Sequence, residues 1–416
     1  MIKRRLMMVE RIMYVDPATP LNCVFAAKVN GEIPEKNFEI ALAKIQQKHP
    51  LLRVTIDNSG KYPFFVEEQE IAPIPLRIVE RQKDEDWLLE SEHEWQRLFE
   101  GEKMPLAQLV WIRGKNISEI LWVMPHCICD GTTCITLMRE LLCLLDDPSV
   151  ELHPYQTFGS VSDFLSSDFN AEKKRFKANL YLLLAKVFFY TRRKSKKRNL
   201  GKSYVIHRKL DIETTLQIAE KCKIYGVSVH AMLCAAFMQA FREVQGTRAR
   251  NRVISPVDVR HFIPEIRQDH LFAFAPTVEL SLKKRRQSLP DNARKIKKEL
   301  AEKIEKMKVR ELLWIGEHMH PVVERMIEML KSSNGGHDVT FSNMGKINIP
   351  DSYKHFEVET IYSPTVAFPW LNSNTLVTTT YKQQMDFTLM SNEHFLPKEE
   401  AVKIKDKAIA LLISSL

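Results

Sequence analysis

Residues 126–131 read HCICDG, and this stretch carries the clearest structural and chemical signal in the chain. It follows the apolar run 120–124 and precedes a segment, 135–145, in which apolar residues recur at helical spacing. The pattern predicts a strand, a short loop and a helix in that order, with His126 in the loop. Because an imidazole gains and loses a proton near neutral pH, a histidine at such a junction is a candidate general base.

The other residues of the stretch have structural as well as functional interpretations. Asp130 directly precedes the predicted helix and suits an N-cap, and if buried it would also need a cation, such as an arginine from the other half of the chain. Gly131 allows a tight turn or a positive φ and leaves the approach to His126 open. Cys127 and Cys129 invite a covalent mechanism, but small buried cysteines are common. We therefore favour a mechanism in which the imidazole acts without a cysteine nucleophile.

The length of the chain, 416 residues, exceeds that of one ordinary core, so we expect two subdomains. The second half repeats the plan of the first, with a strand predicted at 204–210 and a core helix at 229–244. Mixed strands and helices in both halves predict the α/β class. We place the N-terminal subdomain at 1–170, a basic linker at 171–202 and the C-terminal subdomain at 203–416.

The stretch at 126–131 resembles the HxxxDG signature of the condensation-domain and chloramphenicol-acetyltransferase-like superfamily. Further motifs follow in the order typical of that superfamily, and the resemblance covers about residues 9–150 and 203–400. In chain order they are 29–31 (VNG), 41–42 (AL), 48–53 (KHPLLR), the alanine-rich 227–241, 256–260 (PVDVR, similar to PVDLR) and 342–345 (SNMG, similar to SNxG).

The resemblance implies two chloramphenicol-acetyltransferase-like subdomains, each a mixed sheet flanked by helices, with the active-site tunnel between them. It assigns the role of catalytic base to His126 and that of structural carboxylate to Asp130, with Arg260 of the second half as its partner. Ser342 and Asn343 are candidate contacts to the substrate or the oxyanion, and a backbone N–H is an equal alternative.

Two departures from the superfamily's motifs narrow the resemblance. Pro125 stands where peptide-forming condensation domains usually have a second histidine, which disfavours an HHxxxDG condensation enzyme. The sequence also has no DFGWG near its C-terminus, which disfavours the plant-type BAHD acyltransferases. The chain most resembles the stand-alone alcohol acetyltransferases and the mycobacterial polyketide-associated acyltransferases.

From this resemblance we expect an acyl-thioester-dependent O- or N-acyltransferase of secondary metabolism. It would move an acyl group from coenzyme A (CoA) or an acyl carrier protein to a hydroxyl or amine of a small or lipid-like acceptor. We expect no permanently bound cofactor and no metal, because acyl-CoA or a phosphopantetheinyl thioester serves as co-substrate. Two alternatives stay open: a peptide-bond-forming condensation enzyme of a nonribosomal pathway, and a catalytically silent domain that docks a carrier protein.

The positive charge of the chain is concentrated in one window. The net charge is +9, yet residues 173–202 hold twelve Lys or Arg and no acid, and the rest holds 49 basic and 52 acidic residues. A solvated linker explains this window as well as a binding surface does. Its candidate partners are an acyl carrier protein, the phosphates of CoA and an anionic membrane surface. We expect no nucleic-acid partner, because no recognition module accompanies the charge.

Cysteine usage and apolar runs bear on the compartment. The seven cysteines form an odd set without the spacing of a small disulfide-rich domain, and residues 1–16 lack the apolar region of a secretory signal. The longest apolar run, 180–190, falls short of the roughly 20 residues that span a bilayer. We therefore expect reduced thiols, no transmembrane helix and a cytoplasmic monomer.

Overall fold

The structure is a computed structural model that describes residues 2–101, 103–165, 169–191, 200–282 and 287–414. Its strands are β1 (Lys3–Arg5), β2 (Asn22–Gly31), β3 (Val54–Asp57), β4 (Phe64–Glu67), β5 (Leu76–Glu80), β6 (Gln108–Arg113), β7 (Ile117–Pro125), β8 (Ser203–Lys209), β9 (Arg252–Pro256), β10 (Thr277–Ser281), β11 (Val339–Lys346), β12 (Phe356–Ile361), β13 (Thr365–Val366), β14 (Thr375–Tyr381) and β15 (Gln384–Asn392). Its α-helices are α1 (Met8–Tyr14), α2 (Glu35–Lys48), α3 (Asp86–Glu94), α4 (Gly131–Asp146), α5 (Ala171–Thr191), α6 (Ile212–Ile224), α7 (Val229–Gln245), α8 (Leu289–Glu305), α9 (Val309–Glu317), α10 (Val323–Ser332) and α11 (Lys398–Ser414).

The first large sheet has the strand order β12-β2-β7-β6-β5, and β13 also pairs with β2. At its centre β2 and β7 run antiparallel, with Cys23 opposite Met124. Both strands are apolar and buried along most of their length, which suits the interior of a sheet. Helix α4 packs against both strands, so the loop that carries His126 connects the sheet to the helix that covers it.

The second large sheet has the order β10-β9-β11-β14-β15-β8. Strand β11 is parallel to both of its neighbours, and the other pairs are antiparallel. Helix α7 packs against α8 and α11 and buries its apolar side, where Phe237 and Phe241 are at most 1% exposed. Two mixed sheets flanked by helices confirm the predicted α/β class.

The two large sheets do not divide the chain at one point. Strands β12 and β13 belong to the second half of the sequence, yet both pair with β2 of the first sheet. Phe356, Val358 and Ile361 are accordingly buried in the core of that sheet. The second half of the chain therefore completes the first sheet as well as building its own.

The predicted basic linker contains helix α5. It begins at Ala171, well before the apolar run 180–190. It contacts the short 3-10 turn His320–Val322, and Lys174 forms an ion pair with Glu311 of α9. The remaining part of the linker, 192–199, lies outside the described residues.

Within the described residues, no helix taken alone combines the length and the apolar composition needed to cross a membrane. Only Ile212–Ile224 joined with Val229–Arg248 meets both requirements, and these two segments are bent by 102° at the break. The second of them includes α7, whose apolar side chains fill the core of the second sheet.

Candidate active site

His126 lies in the turn between β7 and α4. Its backbone N–H donates to the carbonyl oxygen of Leu21 at 2.8 Å, which ties the turn to the start of β2. Its Nδ1 lies 2.9 Å from the carbonyl oxygen of Cys129. Since a carbonyl oxygen only accepts hydrogen bonds, Nδ1 carries a proton, and Nε2 holds the lone pair when the ring is neutral. This tautomer suits a proton acceptor.

Apolar side chains surround the imidazole. Cys127, Ile128 and Cys129 are fully buried, whereas His126 itself is partly exposed. The ring of Phe368, from the second half of the chain, lies 5.7 Å from the imidazole between ring centroids. The imidazole is therefore partly exposed in surroundings of low polarity, where electrostatic interactions are stronger than in water.

The two cysteines inside the HxxxDG stretch are poor nucleophiles. Burial raises the pKa of the Cys127 thiol. Hydrogen bonds with Cys134 and Cys23, together with burial, raise the pKa of Cys129. Because the thiolate and not the thiol is the reactive form, this agrees with a mechanism without covalent catalysis by either residue.

Asp130 connects the two halves of the chain. Its Oδ1 accepts from the backbone N–H of Thr133 at 2.8 Å, so it caps α4 as the sequence indicates. Its Oδ2 lies 2.5 Å from Nη1 of Arg260, and Arg260 also donates to the carbonyl oxygens of Arg267 and His270. A buried charge pair is stable when its remaining donors are satisfied, as these are. The structural and the functional interpretation of Asp130 therefore apply together.

The sequence-based interpretation of Gly131 needs a correction. Gly131 is the first residue of α4 and is not among the glycines with positive φ. What the position requires is space, because a Cβ there would lie 3.3 Å from Cε of Met344. The small residue lets the SNMG segment of the second half approach the start of α4.

Two cavities adjoin the turn that holds His126. One has a volume of about 720 Å³ and is lined by both halves of the chain, including Asp130 and Met344. The other, of about 220 Å³, is lined by residues of the first half, including Tyr14 and Pro125. His126 itself lines neither, but residues at both ends of its turn do. The turn therefore contributes to the walls of both cavities.

Ser342 and Asn343, predicted as contacts to the substrate or the oxyanion, both line the larger cavity. The side-chain oxygen of Asn343 accepts from the backbone N–H of Gly345 at 2.9 Å. Gly345 has a φ of +70°, which glycine adopts without strain. The SNMG motif thus forms a tight turn at the cavity wall, and the Ser342 hydroxyl has no hydrogen-bond partner among the described residues.

Cys23 is a residue of the site that the sequence did not identify. Its Sγ, a ring nitrogen of His126 and the Sγ of Cys129 all lie within 4.8 Å of one another. A hydrogen bond with Cys129 and the charge of His126 lower the pKa of Cys23 to about 5, against the effect of burial. Burial lowers the pKa of His126, but the charge and hydrogen bond of Cys23 outweigh it and raise the pKa to about 9. The two groups therefore favour a thiolate–imidazolium pair.

The same three side chains could hold a soft metal ion, since thiolates and imidazole are the ligands that zinc prefers. Such an ion would take the lone pair that a general base needs. A second group, Glu90, His93 and Glu94, lies on α3, where its carboxylates already pair with Arg77 and Arg97. Catalysis without a metal stays our prediction.

His230 is a further residue that the sequence analysis did not select. It lies at the start of α7, lines the larger cavity, and its Nε2 is 2.8 Å from the Ser255 hydroxyl. Burial lowers the pKa of His230 to about 4, so the ring is neutral near pH 7. A neutral imidazole beside a hydroxyl offers hydrogen bonds to a ligand without adding charge to the cavity.

The KHPLLR motif has a structural explanation. His49 is fully buried, and its Nε2 lies 2.7 Å from Oε2 of Glu140 on α4. Lys48 pairs with the other oxygen of the same carboxylate at 2.6 Å. The motif thus fastens α2 to α4 and supports the helix that begins at the candidate site.

Comparison with known proteins identifies the family. The Condensation domain family matches residues 16–260, more than half of the chain. The C-terminal region of the phthiocerol/phthiodiolone dimycocerosyl transferase family matches residues 202–389. The chain therefore belongs to the condensation-domain family, which confirms the resemblance and supports acyl transfer as the general class of reaction.

Solved structures share the fold over nearly the whole chain at low sequence identity. No curated protein sequence matches the chain. The trichothecene 15-O-acetyltransferase TRI3 from Fusarium sporotrichioides is 16% identical, with a TM-score of 0.74 over 99% of this chain and 95% of that one. Polyketide synthase associated protein 5 from Mycobacterium tuberculosis is 14% identical, with a TM-score of 0.68 over 99% and 98%. The condensation domain of the Monacolin K polyketide synthase MokA is 12% identical, with a TM-score of 0.69 over 100% and 98%.

Proposed function

We propose that this protein is an acyl-thioester-dependent O- or N-acyltransferase in which His126 is the general base. The observation that carries the proposal is the hydrogen bond from Nδ1 of His126 to the carbonyl oxygen of Cys129, because it leaves the lone pair on Nε2. The donor is a thioester of CoA or of a carrier protein, and the acceptor is a hydroxyl or an amine. Asp130 and Arg260 hold the turn in place.

The reaction needs one proton to move twice. Nε2 of His126 removes the proton from the acceptor hydroxyl or amine as its oxygen or nitrogen attacks the thioester carbonyl carbon. The new carbon–oxygen or carbon–nitrogen bond gives a tetrahedral oxyanion. As the carbonyl re-forms, the carbon–sulfur bond breaks, and the imidazolium returns its proton to the departing thiolate. The products are the acylated acceptor and a free thiol, and no cofactor or metal is consumed.

Cys23 assists the first proton transfer in this scheme. A thiolate within a few ångströms stabilises the imidazolium that forms after the first step. This lowers the free energy of the charged intermediate, but it also keeps the resting ring protonated at neutral pH. The proposal therefore includes a rate that rises with pH as the imidazolium loses its proton.

The oxyanion needs a hydrogen-bond donor, and the SNMG turn is our candidate source. Ser342 and Asn343 line the cavity that both halves of the chain enclose. Of the two, we favour Ser342, because the side chain of Asn343 already forms the turn with Gly345.

The first alternative function is peptide-bond formation, favoured by the match to the Condensation domain family over residues 16–260. Pro125, in place of a second histidine, disfavours it. A catalytically silent domain that docks a carrier protein is the other alternative. It does not explain why a base, an ion pair and a cavity occur at one site.

Thiol release tests the proposal. Acetyl and longer-chain thioesters of CoA, and the same acyl groups on a phosphopantetheinyl carrier protein, are offered with a panel of alcohols and amines. We expect acceptor-dependent release by the wild type and a loss of about 10²-fold or more for His126→Ala, the scale of a lost general base. The matched control is His153→Ala, because His153 is an exposed histidine of the same half.

The result that would overturn the proposal is equal release by the wild type and His126→Ala with every donor and acceptor. If the carrier protein nevertheless binds the wild type, the silent docking domain becomes the better account. Mass spectrometry of the product separates ester from amide, and an amide formed only between two carrier-bound aminoacyl groups would favour the condensation enzyme.

A further inference from the structure

Helix α5 has an unusual surface. Of the seventeen large apolar residues that are exposed in the described part of the chain, eight lie on this one helix. They are Phe176, Leu180, Tyr181, Leu183, Leu184, Val187, Phe188 and Tyr190. Phe176 is 78% exposed and Tyr190 is 93% exposed, so both side chains lie largely in solvent. Contiguous exposed apolar surface of this kind marks an interaction site.

The apolar side of α5 faces away from the body of the protein. Ala178 is fully buried, and Leu182, Ala185 and Phe189 on the same side are partly buried. At about 100° per residue, the exposed residues that follow point within about 60° of the direction opposite Ala178. The apolar residues among them are Phe176, Leu180, Leu183, Leu184, Val187 and Tyr190. A surface helix normally presents polar residues there, whereas α5 is apolar on its outward side as well as on its inward side.

The body of the protein holds α5 in this orientation. Lys174 and Lys177 both form ion pairs with Glu311 of α9. Phe169, just before the helix, lies 5.8 Å from Trp314 of α9 between ring centroids. These contacts join the first turns of α5 to its neighbour, so the outward apolar face is a fixed feature of the fold.

Three of the five cations on α5 flank the apolar face. Arg175 and Lys186 are exposed and, at about 100° per residue, lie along one border, while Lys177 lies along the other. The helix has five Lys or Arg and one acid, Glu172. An apolar face bordered by cations is the pattern of helices that lie in the surface of an anionic membrane.

We propose that α5 docks this protein on an anionic lipid bilayer, with the helix axis in the plane of the surface. The apolar face enters the boundary between headgroups and acyl chains, and Arg175 and Lys186 reach the lipid phosphates and carboxylates. Tyr190 suits the same depth, where rings with a polar edge collect. The proposal is independent of the reaction assigned above and adds a location at which a lipid-like acceptor would be available.

A carrier protein fits this surface less well. Docking of an acidic partner needs exposed cations, whereas the centre of this face consists of large apolar side chains. Leaving that apolar area in water is unfavourable, and burial in lipid removes the cost without requiring a shaped partner. A second copy of the chain is the remaining occupant, and the test distinguishes it.

Vesicle sedimentation tests the proposal with the full-length protein and no substrate. We expect the wild type to bind mixed phosphatidylcholine–phosphatidylserine vesicles, to bind phosphatidylcholine vesicles more weakly, and to lose affinity as salt rises. The variant Phe176→Ser/Leu183→Ser/Val187→Ser should bind the mixed vesicles at least about tenfold more weakly. All three side chains are exposed, so the fold should be unaffected, and circular dichroism checks this.

The matched control removes the same number of exposed apolar side chains elsewhere. Leu89→Ser/Ile224→Ser/Ile413→Ser changes residues that are 47–65% exposed and lie on α3, α6 and α11. We expect its vesicle binding to equal that of the wild type. Arg175→Ala/Lys186→Ala should lose the preference for phosphatidylserine and keep the weaker binding to phosphatidylcholine.

Three results would overturn the proposal. The first is absence of vesicle binding by the wild type. The second is equal loss of binding in the α5 and control variants. The third is a dimer in sedimentation velocity that the α5 variant alone converts to monomer without any effect on vesicles, which would assign the face to a second copy. None of these results depends on the acyl-transfer assay, so either proposal can be rejected without rejecting the other.

Discussion

Arg260 pairs with Asp130 across the two halves of the chain, and Asp130 is also the residue that caps helix α4. One carboxylate therefore fixes both the start of the helix and the position of the second half against it. The turn with His126 lies directly before this carboxylate, so the geometry of the base depends on a contact with a residue far away in sequence.

The double role of Asp130 can be separated by two substitutions. Asp130→Asn keeps a good N-cap but leaves Arg260 with only the more distant carboxylate of Asp258, at 3.4 Å, and we expect it to lower the free energy of unfolding by about 3 kcal/mol. Asp130→Ala removes the cap as well and should cost about 1 kcal/mol more. Urea denaturation measures both. Wild-type stability in Asp130→Asn would show that the buried pair does not stabilise the fold.

Cys23 should set the pH dependence of the reaction. In the wild type the rate rises with pH as His126, whose pKa is raised to about 9, loses its proton. Cys23→Ser removes the thiolate, so the pKa of His126 falls toward its ordinary value of about 6.5 and the rising limb of kcat/KM moves to lower pH. Cys222→Ser, a buried cysteine in the core of the second sheet, is the control. If the rising part of the pH profile of kcat/KM is unchanged in Cys23→Ser, the thiolate–imidazolium pair of Cys23 and His126 is contradicted.

We expect added zinc to inhibit the acyl-transfer reaction and chelators to leave its rate unchanged. Dialysis against EDTA is expected to leave the rate unchanged, because the proposed steps use no metal. Added Zn²⁺ should inhibit by binding Cys23, His126 and Cys129, and Cys129→Ser should raise the half-inhibitory concentration. His93→Ala tests the second group, on α3, and should leave the inhibition by Zn²⁺ unchanged. Loss of activity with EDTA, restored by metal, would contradict the metal-free mechanism.

Ser342 should act on the transition state more than on binding. If its hydroxyl donates to the oxyanion, Ser342→Ala lowers kcat about 10²-fold with little change in KM. Ser255→Ala removes a hydroxyl from the same cavity and, since Ser255 pairs with His230, should alter KM rather than kcat. Steady-state kinetics with one donor and one acceptor measure both. Equal kcat in Ser342→Ala and the wild type would transfer the role to a backbone N–H.

The local structure around His126 was predictable because its signals are local. The apolar run 120–124 and the helical spacing after Gly131 correspond to β7 and α4, and Asp130 is the cap that its position indicates. The conformation of Gly131 was not predictable in the same way. A small residue is needed at this position because Met344 approaches it from the other half of the chain.

Cys23 and the orientation of α5 could not be predicted, for two physical reasons. Cys23 meets His126 through the pairing of β2 with β7, and a sequence does not state which strands become neighbours. In α5 the composition predicts a helix with apolar residues on several sides, and only the packing of Ala178 shows which of these sides is left exposed.

The pairing of β12 and β13 with β2 of the first sheet affects any attempt to produce the two halves of this protein separately. A fragment that stops at residue 202 would leave the outer side of β2 with unpaired backbone amides and carbonyls, and such open edges recruit strands from other chains. We therefore expect two separately produced halves to aggregate rather than fold. The whole chain should fold as one cooperative unit, because strands from its last quarter complete the sheet that β2 begins.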